Sequence, residues 1–255
     1  NLVINTTNDA LLTLASMASS TYTLQVTGKL QVNTGSWLAI VAGDNINATV
    51  NISGDFELTG ATSSSSYFDF YYYTSDGATL NKVVMNVSGN YIQSGGLMDL
   101  AYGNSDAAAY NELRLSGNFQ LSGDAILYTG TSDNSVSNGL LVFTKAGTQT
   151  YTVANPLNIG YVNYRVNSGS TLQLLSEVML SSDATAVWAG QFNVNNGGIL
   201  DAGTQRISSS TGSGAGVNNA FVVNAGGRLI SANTSGVQND AVSGTVSTAI
   251  TTRTF

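Results

Sequence analysis

The side chains that could do chemistry in this chain are few, and nearly all of them are oxygen groups. There is no histidine and no cysteine. Their absence removes Ser-His-Asp catalysis, imidazole acid–base chemistry, thiolate nucleophiles, disulfides and the usual ligand sets for zinc or iron. Acid–base work would fall to the 15 aspartates and glutamates. Cleaving a glycan needs two carboxyls about 5–10 Å apart, and no two acidic residues are adjacent in sequence. Asp69 and Asp99 fall in strand-like stretches of consecutive repeats, so stacking could make them such a pair. Lys82 and Arg114 would be the bases of a lyase. Carboxylates in turns and ladders are far commoner than catalytic ones, so the chain reads as a non-enzyme, with a polysaccharide lyase or hydrolase as the alternative.

The stretch YFDFYYY, Tyr67 to Tyr73, puts six of the chain's 22 aromatic rings into seven residues. Side chains alternate across a strand, so Phe68, Phe70 and Tyr72 are expected in the core. Tyr67, Asp69, Tyr71 and Tyr73 then share the other face, a surface for stacking on glycan rings or a protein partner. Ordinary cross-strand packing is the competing use.

Three oxygen-rich stretches could hold calcium: GDNINAT at residues 43–49, GNSDAA at 103–108 and TSDNSVSN at 131–138. None has the spacing of an EF-hand or of the calcium-binding nonapeptide repeat. No cofactor is therefore expected, calcium being the only one the sequence admits. Asn-x-Ser/Thr triplets at Asn5, Asn47, Asn51, Asn86 and Asn233 arise readily in so Asn- and Ser-rich a chain. Amide ladders along stacked strands are the expected role of many asparagines. The run SSSTGSGAGVNNA at residues 208–220 lacks the lysine and helix of a phosphate loop and reads as a turn.

These groups must be positioned by β-structure. Charged residues make up only 9% of the 255, against 42% hydrophobic, so hydroxyls and amides must cover the surface, as in secreted β-rich proteins. The net charge is −7, and the eight basic residues are scattered. Nothing could neutralise a row of phosphates, so neither nucleic acid nor an anionic membrane is an expected partner. Apolar runs fall short of the ~20 residues of a spanning helix.

One pattern recurs: alternating residues, a glycine turn, alternating residues again. LQVTGKLQV, VNISGDFEL, MNVSGNYIQ and LRLSGNFQL surround Gly28, Gly54, Gly89 and Gly117. LVFTKAGTQTYTV surrounds Gly147, and YRVNSGSTLQL, FNVNNGGIL and FVVNAGGRLIS surround Gly169, Gly197 and Gly226. The successive spacings are 26, 35, 28, 30, 22, 28 and 29 residues. Period-2 alternation means strands, and self-similarity at this period means a solenoid. The predicted fold is all-β: a right-handed parallel β-helix with coils of about 22–35 residues. It is one continuous domain over 1–255, with a change of repeat style near 145–160. Neither terminus reads as a polar cap, which suggests a piece of a longer repeat protein.

GNFQLSG, FTKAGTQTYTV and FVVNAGGRLISANTSGV resemble units of the very large β-helical surface proteins of Bacteroidetes, stalk repeats exported by type IX secretion that include gliding and adhesion proteins. The resemblance runs from about Leu24 to Phe255. It implies an extracellular, cell-surface setting, secretion machinery as a partner and neighbouring repeats of the same chain as packing partners. It carries over no catalytic residues. The expected function is a non-catalytic adhesive stalk that contacts surface glycans or proteins. Besides the carbohydrate-active enzyme, a self-assembling extracellular filament subunit is the other alternative.

Overall fold

Alternation in these segments places one side of most described strands in a shared core. VNIS before Gly54 is typical: Val50 and Ile52 point inward and are buried, while Asn51 points out. The computed structural model describes residues 1–5, 11–15, 21–41, 46–71, 82–100, 111–129, 139–181, 190–210, 219–240 and 242–255. Among these the chain winds as a three-faced parallel β-solenoid. Sheet one stacks nine strands from Leu2–Ile4 to Arg228–Ser231. Sheet two stacks six from Leu11–Ala15 to Ile159–Gly160, and sheet three stacks nine from Thr21–Val26 to Thr252–Thr254. A separate two-stranded sheet pairs Val178–Leu180 with Ile207–Ser209. Residues paired between strands of the three long sheets lie 23 apart (Tyr151 and Leu174) to 35 apart (Phe56 and Tyr91), close to the coil length expected from glycine spacing. The one helical piece among the described residues is a 3-10 turn, Pro156–Asn158, whose Leu157 N–H donates to the side chain of Asn155.

The recurring glycines mark the corner between sheets three and one, and they serve in two ways. In the first series consecutive corners nearly touch: a Cβ on Gly117 would lie 2.1 Å from the carbonyl oxygen of Gly89. Here the hydrogen bonds run backward along the chain, Gly54 N–H to Gly28 O and Gly89 N–H to Gly54 O, each 3.0 Å. In the second series the corners have left-handed backbone, as at Gly169 with φ +80°, a conformation that suits glycine. The bonds now run forward: Gly147 N–H to Gly169 O, Gly169 N–H to Gly197 O, and Gly197 N–H to Gly226 O, each 3.0 Å. Because Gly147 turns its N–H away, the Gly117 carbonyl takes the side-chain amide of the fully buried Gln149 instead, at 2.9 Å.

Two columns of rings fill the core. Phe56, Tyr91, Phe119 and Tyr151 stack through sheet one with centroids 5.2, 4.9 and 5.3 Å apart. Tyr164, Phe192 and Phe221 continue through sheet three at 5.4 and 5.8 Å. The columns meet edge-on at Tyr151 and Tyr164, 6.3 Å apart.

Polar ladders follow the same register. Asn86 donates to Asn51 at 2.8 Å, and Asn195 donates to Asn167 at 3.3 Å. Where sheet three begins, buried asparagines accept backbone N–H groups across the coil boundary: Asn111 from Val83, Asn163 from Gln191, Asn219 from Gly190.

Candidate functional site

The strand Tyr67–Tyr71 stacks in sheet two between Trp37–Val41 and Leu97–Asp99. Phe68 and Phe70 are fully buried in the core, as alternation requires. The opposite face carries two rows set by the parallel register. One runs Trp37, Tyr67, Leu97, Ile126, and all four are half-buried. The Trp37 and Tyr67 rings are 5.4 Å apart and tilted by 46°. The other row runs Ala39, Asp69, Asp99, Tyr128.

The two aspartates singled out from sequence are thus direct neighbours on adjacent rungs, where strands lie about 4.8 Å apart. Neither stands open to solvent: Asp69 is 6% exposed and Asp99 0%. The indole N–H of Trp37 donates to Asp69 at 2.5 Å. Burial pushes the Asp69 carboxyl up to about 8, the charge of Asp99 adds to this, and the Trp37 hydrogen bond partly opposes it. Like charges so close do not both ionise readily, so Asp69 is largely protonated at neutral pH. A protonated carboxyl beside a second one can act as a general acid, but here both lie beneath the surface.

The remaining sequence candidates are distributed as follows. Tyr67 lies on the expected face, half-buried against Trp37. Asp69 lies on that face too, but it is buried and not part of an outward row. Tyr71 is paired with Val41 in the strand, and its side chain, with the whole of Tyr72 and Tyr73, lies outside the described residues. Lys82 and Arg114 belong to sheet three, a different sheet from the aspartates, and Arg114 is ion-paired with Glu112 at 2.5 Å. Of the calcium stretches, residues 103–108 and 131–138, and the first three residues of 43–49, lie outside the described residues. Among the described residues no three acidic side chains gather as a metal site would require. Sequence reasoning missed Trp37. Its signal was available, since Trp37, Tyr67 and Leu97 are separated by equal steps of about one coil.

A second feature is a shallow polar trough of about 620 Å³ along the corner of the later coils, lined by Asn167, Ser168, Asn195, Asn196 and Asn224. Its amides form a ladder that leaves further donors and acceptors for solvent.

This architecture defines the chain as a parallel β-solenoid repeat protein. No protein-family model matches it, and no curated protein is similar enough to match. Among solved structures, the crystal structure of a TibC-catalysed, hyper-glycosylated fragment of TibA aligns with 96% of this chain and 97% of that one. The identity is 14% and the TM-score 0.18.

Proposed function

We propose that the chain is a rigid segment of an extracellular stalk that contacts surface glycans or proteins and carries out no catalysis. The observation that supports this most is the unbroken stacking of sheets one and three, nine strands each, locked by ring columns in the core. Inter-strand hydrogen bonds and stacked rings both repeat along the rod axis, so bending or stretching the rod strains them together. A surface of hydroxyls and amides suits glycan contact, and the half-exposed Trp37–Tyr67 pair supplies aromatic faces. The test is adhesion of beads displaying the protein to glycan-coated surfaces under flow. Beads carrying the wild type should be retained and Tyr67→Ala should reduce retention; beads that bind no better than uncoated ones would sink the adhesive half of the reading.

One observation favours a second reading, a carbohydrate-cleaving β-helix: Asp69 and Asp99 are adjacent and share an acid-base environment. That reading requires the release of reducing or unsaturated ends from polysaccharides, abolished by Asp69→Asn and by Asp99→Asn. Absence of such products from pectins, alginates, glucans and xylans would dismiss it.

A further inference from the structure

The corners of the later coils turn their side chains, rather than their backbone, to the solvent. Three short turns recur one coil apart: NSGS at residues 167–170, NNGG at 195–198 and NAGG at 224–227. In each, the asparagine carbonyl accepts the N–H three residues on, at 3.1, 2.9 and 2.7 Å. The third residue is a glycine in left-handed backbone, with φ of +80°, +74° and +83°. Those glycines also join the turns to one another, Gly169 N–H to Gly197 O and Gly197 N–H to Gly226 O. Successive turns are thereby held one rung apart, about 4.8 Å.

Two rows of side chains remain. Asn167, Asn195 and Asn224 stand at the strand ends, where Asn195 donates to Asn167 and Asn224 to Asn195, at 3.3 and 3.4 Å. Ser168 and Asn196 stand at the turn tips and are exposed. Each tip leans onto the next rung: Ser168 Oγ is 2.7 Å from where a Cβ on Gly197 would stand, and Asn196 Oδ1 covers Gly226 in the same way. The trough of about 620 Å³ is lined by these two rows, and its size falls in the range of about 300–1,000 Å³ usual for ligand sites.

An amide offers two N–H donors and two acceptor lone pairs, and a hydroxyl is both donor and acceptor. The ladder engages the Asn167 Oδ1, the Asn195 amide and the Asn224 Nδ2. The Asn167 Nδ2, the Asn196 amide and the Ser168 hydroxyl are left to the trough. Its lining carries neither a charged nor an apolar side chain, so an ion or a hydrophobic group has no counterpart there. A peptide adding as a strand would need main-chain N–H and C=O groups, and those of the turn glycines and asparagine carbonyls already pair along the rod. What the trough offers is neutral donors and acceptors repeating at each rung. Their complement is a ligand whose hydroxyls, each both donor and acceptor, recur from one sugar to the next.

We propose that this trough binds a neutral, linear glycan lying along the rod axis, its hydroxyls paired with the Ser168 and Asn196 side chains and with the remaining amide N–H groups. The site deepens the adhesive reading and rests on it. It lies on the corner between sheets three and one, separate from the Trp37–Tyr67 face of sheet two.

The test removes both tips in the double variant Ser168→Ala, Asn196→Ala. Alanine suits this position, since Ala225 holds it in the third turn, and the amide ladder is left in place. Ser116→Ala is the control, removing an exposed hydroxyl from a corner of the first series. The full chain and both variants are applied to an array of cello-, xylo-, manno- and laminari-oligosaccharides, with melting followed by circular dichroism. The expected result is that wild type and Ser116→Ala bind the same glycan comparably. The double variant should bind at least about tenfold more weakly while melting as wild type does. Undiminished binding by the double variant would overturn the proposal, and so would an equal loss with Ser116→Ala. Binding of none of these glycans, or capture only of charged glycans or extended peptides, would overturn it as well. Bead adhesion that survives the double variant but is lost with Tyr67→Ala would remove this site and leave the adhesive reading standing.

Discussion

The buried carboxyl of Asp69 makes the strongest quantitative prediction. Its folded-state value is about 8 against 3.8 for a free aspartate, so between these pH values the folded chain holds a proton that the unfolded chain has released. The slope of stability with pH follows the protons bound by the unfolded state minus those bound by the folded state. That difference is negative here, so stability falls as pH rises. The contribution is fully present below about pH 4 and lost once pH passes 8. At about 1.4 kcal/mol per pH unit, the loss between pH 5 and pH 7 is about 3 kcal/mol. Asp69→Asn abolishes this term, because an amide does not titrate, yet its side-chain oxygen still accepts the Trp37 N–H and its NH₂ can donate to Asp99. The variant should be more stable than wild type at pH 7 by about 4 kcal/mol, and its advantage should shrink toward pH 4. Asp99→Asn should flatten the slope less, since burial is the larger cause of the shift and Asp99 the smaller.

Solenoids open piecewise, so the assay needs a local probe. Trp37 touches Asp69 and is one of two tryptophans; its fluorescence during urea unfolding, in a Trp188→Phe background, reports on this rung. Unfolding midpoints would be measured from pH 5 to 8 for the parent and for Asp69→Asn. Parallel pH profiles, or a variant weaker than its parent at pH 7, would refute the reasoning.

The two kinds of corner glycine should respond differently to alanine. Gly117→Ala sets a Cβ against backbone that cannot yield and should cost several kcal/mol, on the order of an overpacked core. Gly169→Ala meets nothing within 4 Å and should cost only about 1 kcal/mol from its positive φ; equal urea midpoints for the two variants would contradict the corner geometry. Gln149→Ala should leave the Gly117 carbonyl unpaired in the core and lower stability by about 1–3 kcal/mol. A midpoint unchanged from wild type would mean that the carbonyl finds another donor. Phe119→Ala, which breaks the ring column between Tyr91 and Tyr151, should cost about 3–5 kcal/mol, read from the same curves.

The coil period was legible because each corner demands glycine and each strand alternates, and both demands are local. Phe68 and Phe70 were assigned to the core on that basis and lie there. Alternation also placed Asp69 on the face opposite them, but it says nothing about what covers that face. Ala39, Asp69 and Asp99 all point away from the core, and all are buried; no local pattern encodes such burial. Register across coils was half-legible. Spacing made Asp69 and Asp99 candidates for a pair, whereas Trp37 escaped notice because it lies outside the aromatic cluster and joins it only through the coil step. The caps at Asn111, Asn163 and Asn219 were illegible for another reason: asparagine before a strand is equally at home in a turn.

Three changes coincide in the coil of residues 147–174. The corner hydrogen bonds reverse direction, the ring column passes from sheet one to sheet three, and the sheet-two connection contracts to Tyr161 and Val162. Each has a physical cost: a carbonyl that needs Gln149, an edge-on ring contact in place of a stacked one, and a tyrosine in left-handed backbone. A rod whose only task was length would gain nothing from meeting all three in a single coil, since a copy of the preceding coil would avoid them. The shortest coil therefore makes sense as the seam at which the repeat changes from one corner geometry to the other. Sheets one and three, paired through the same coil on both sides, carry the stiffness past it.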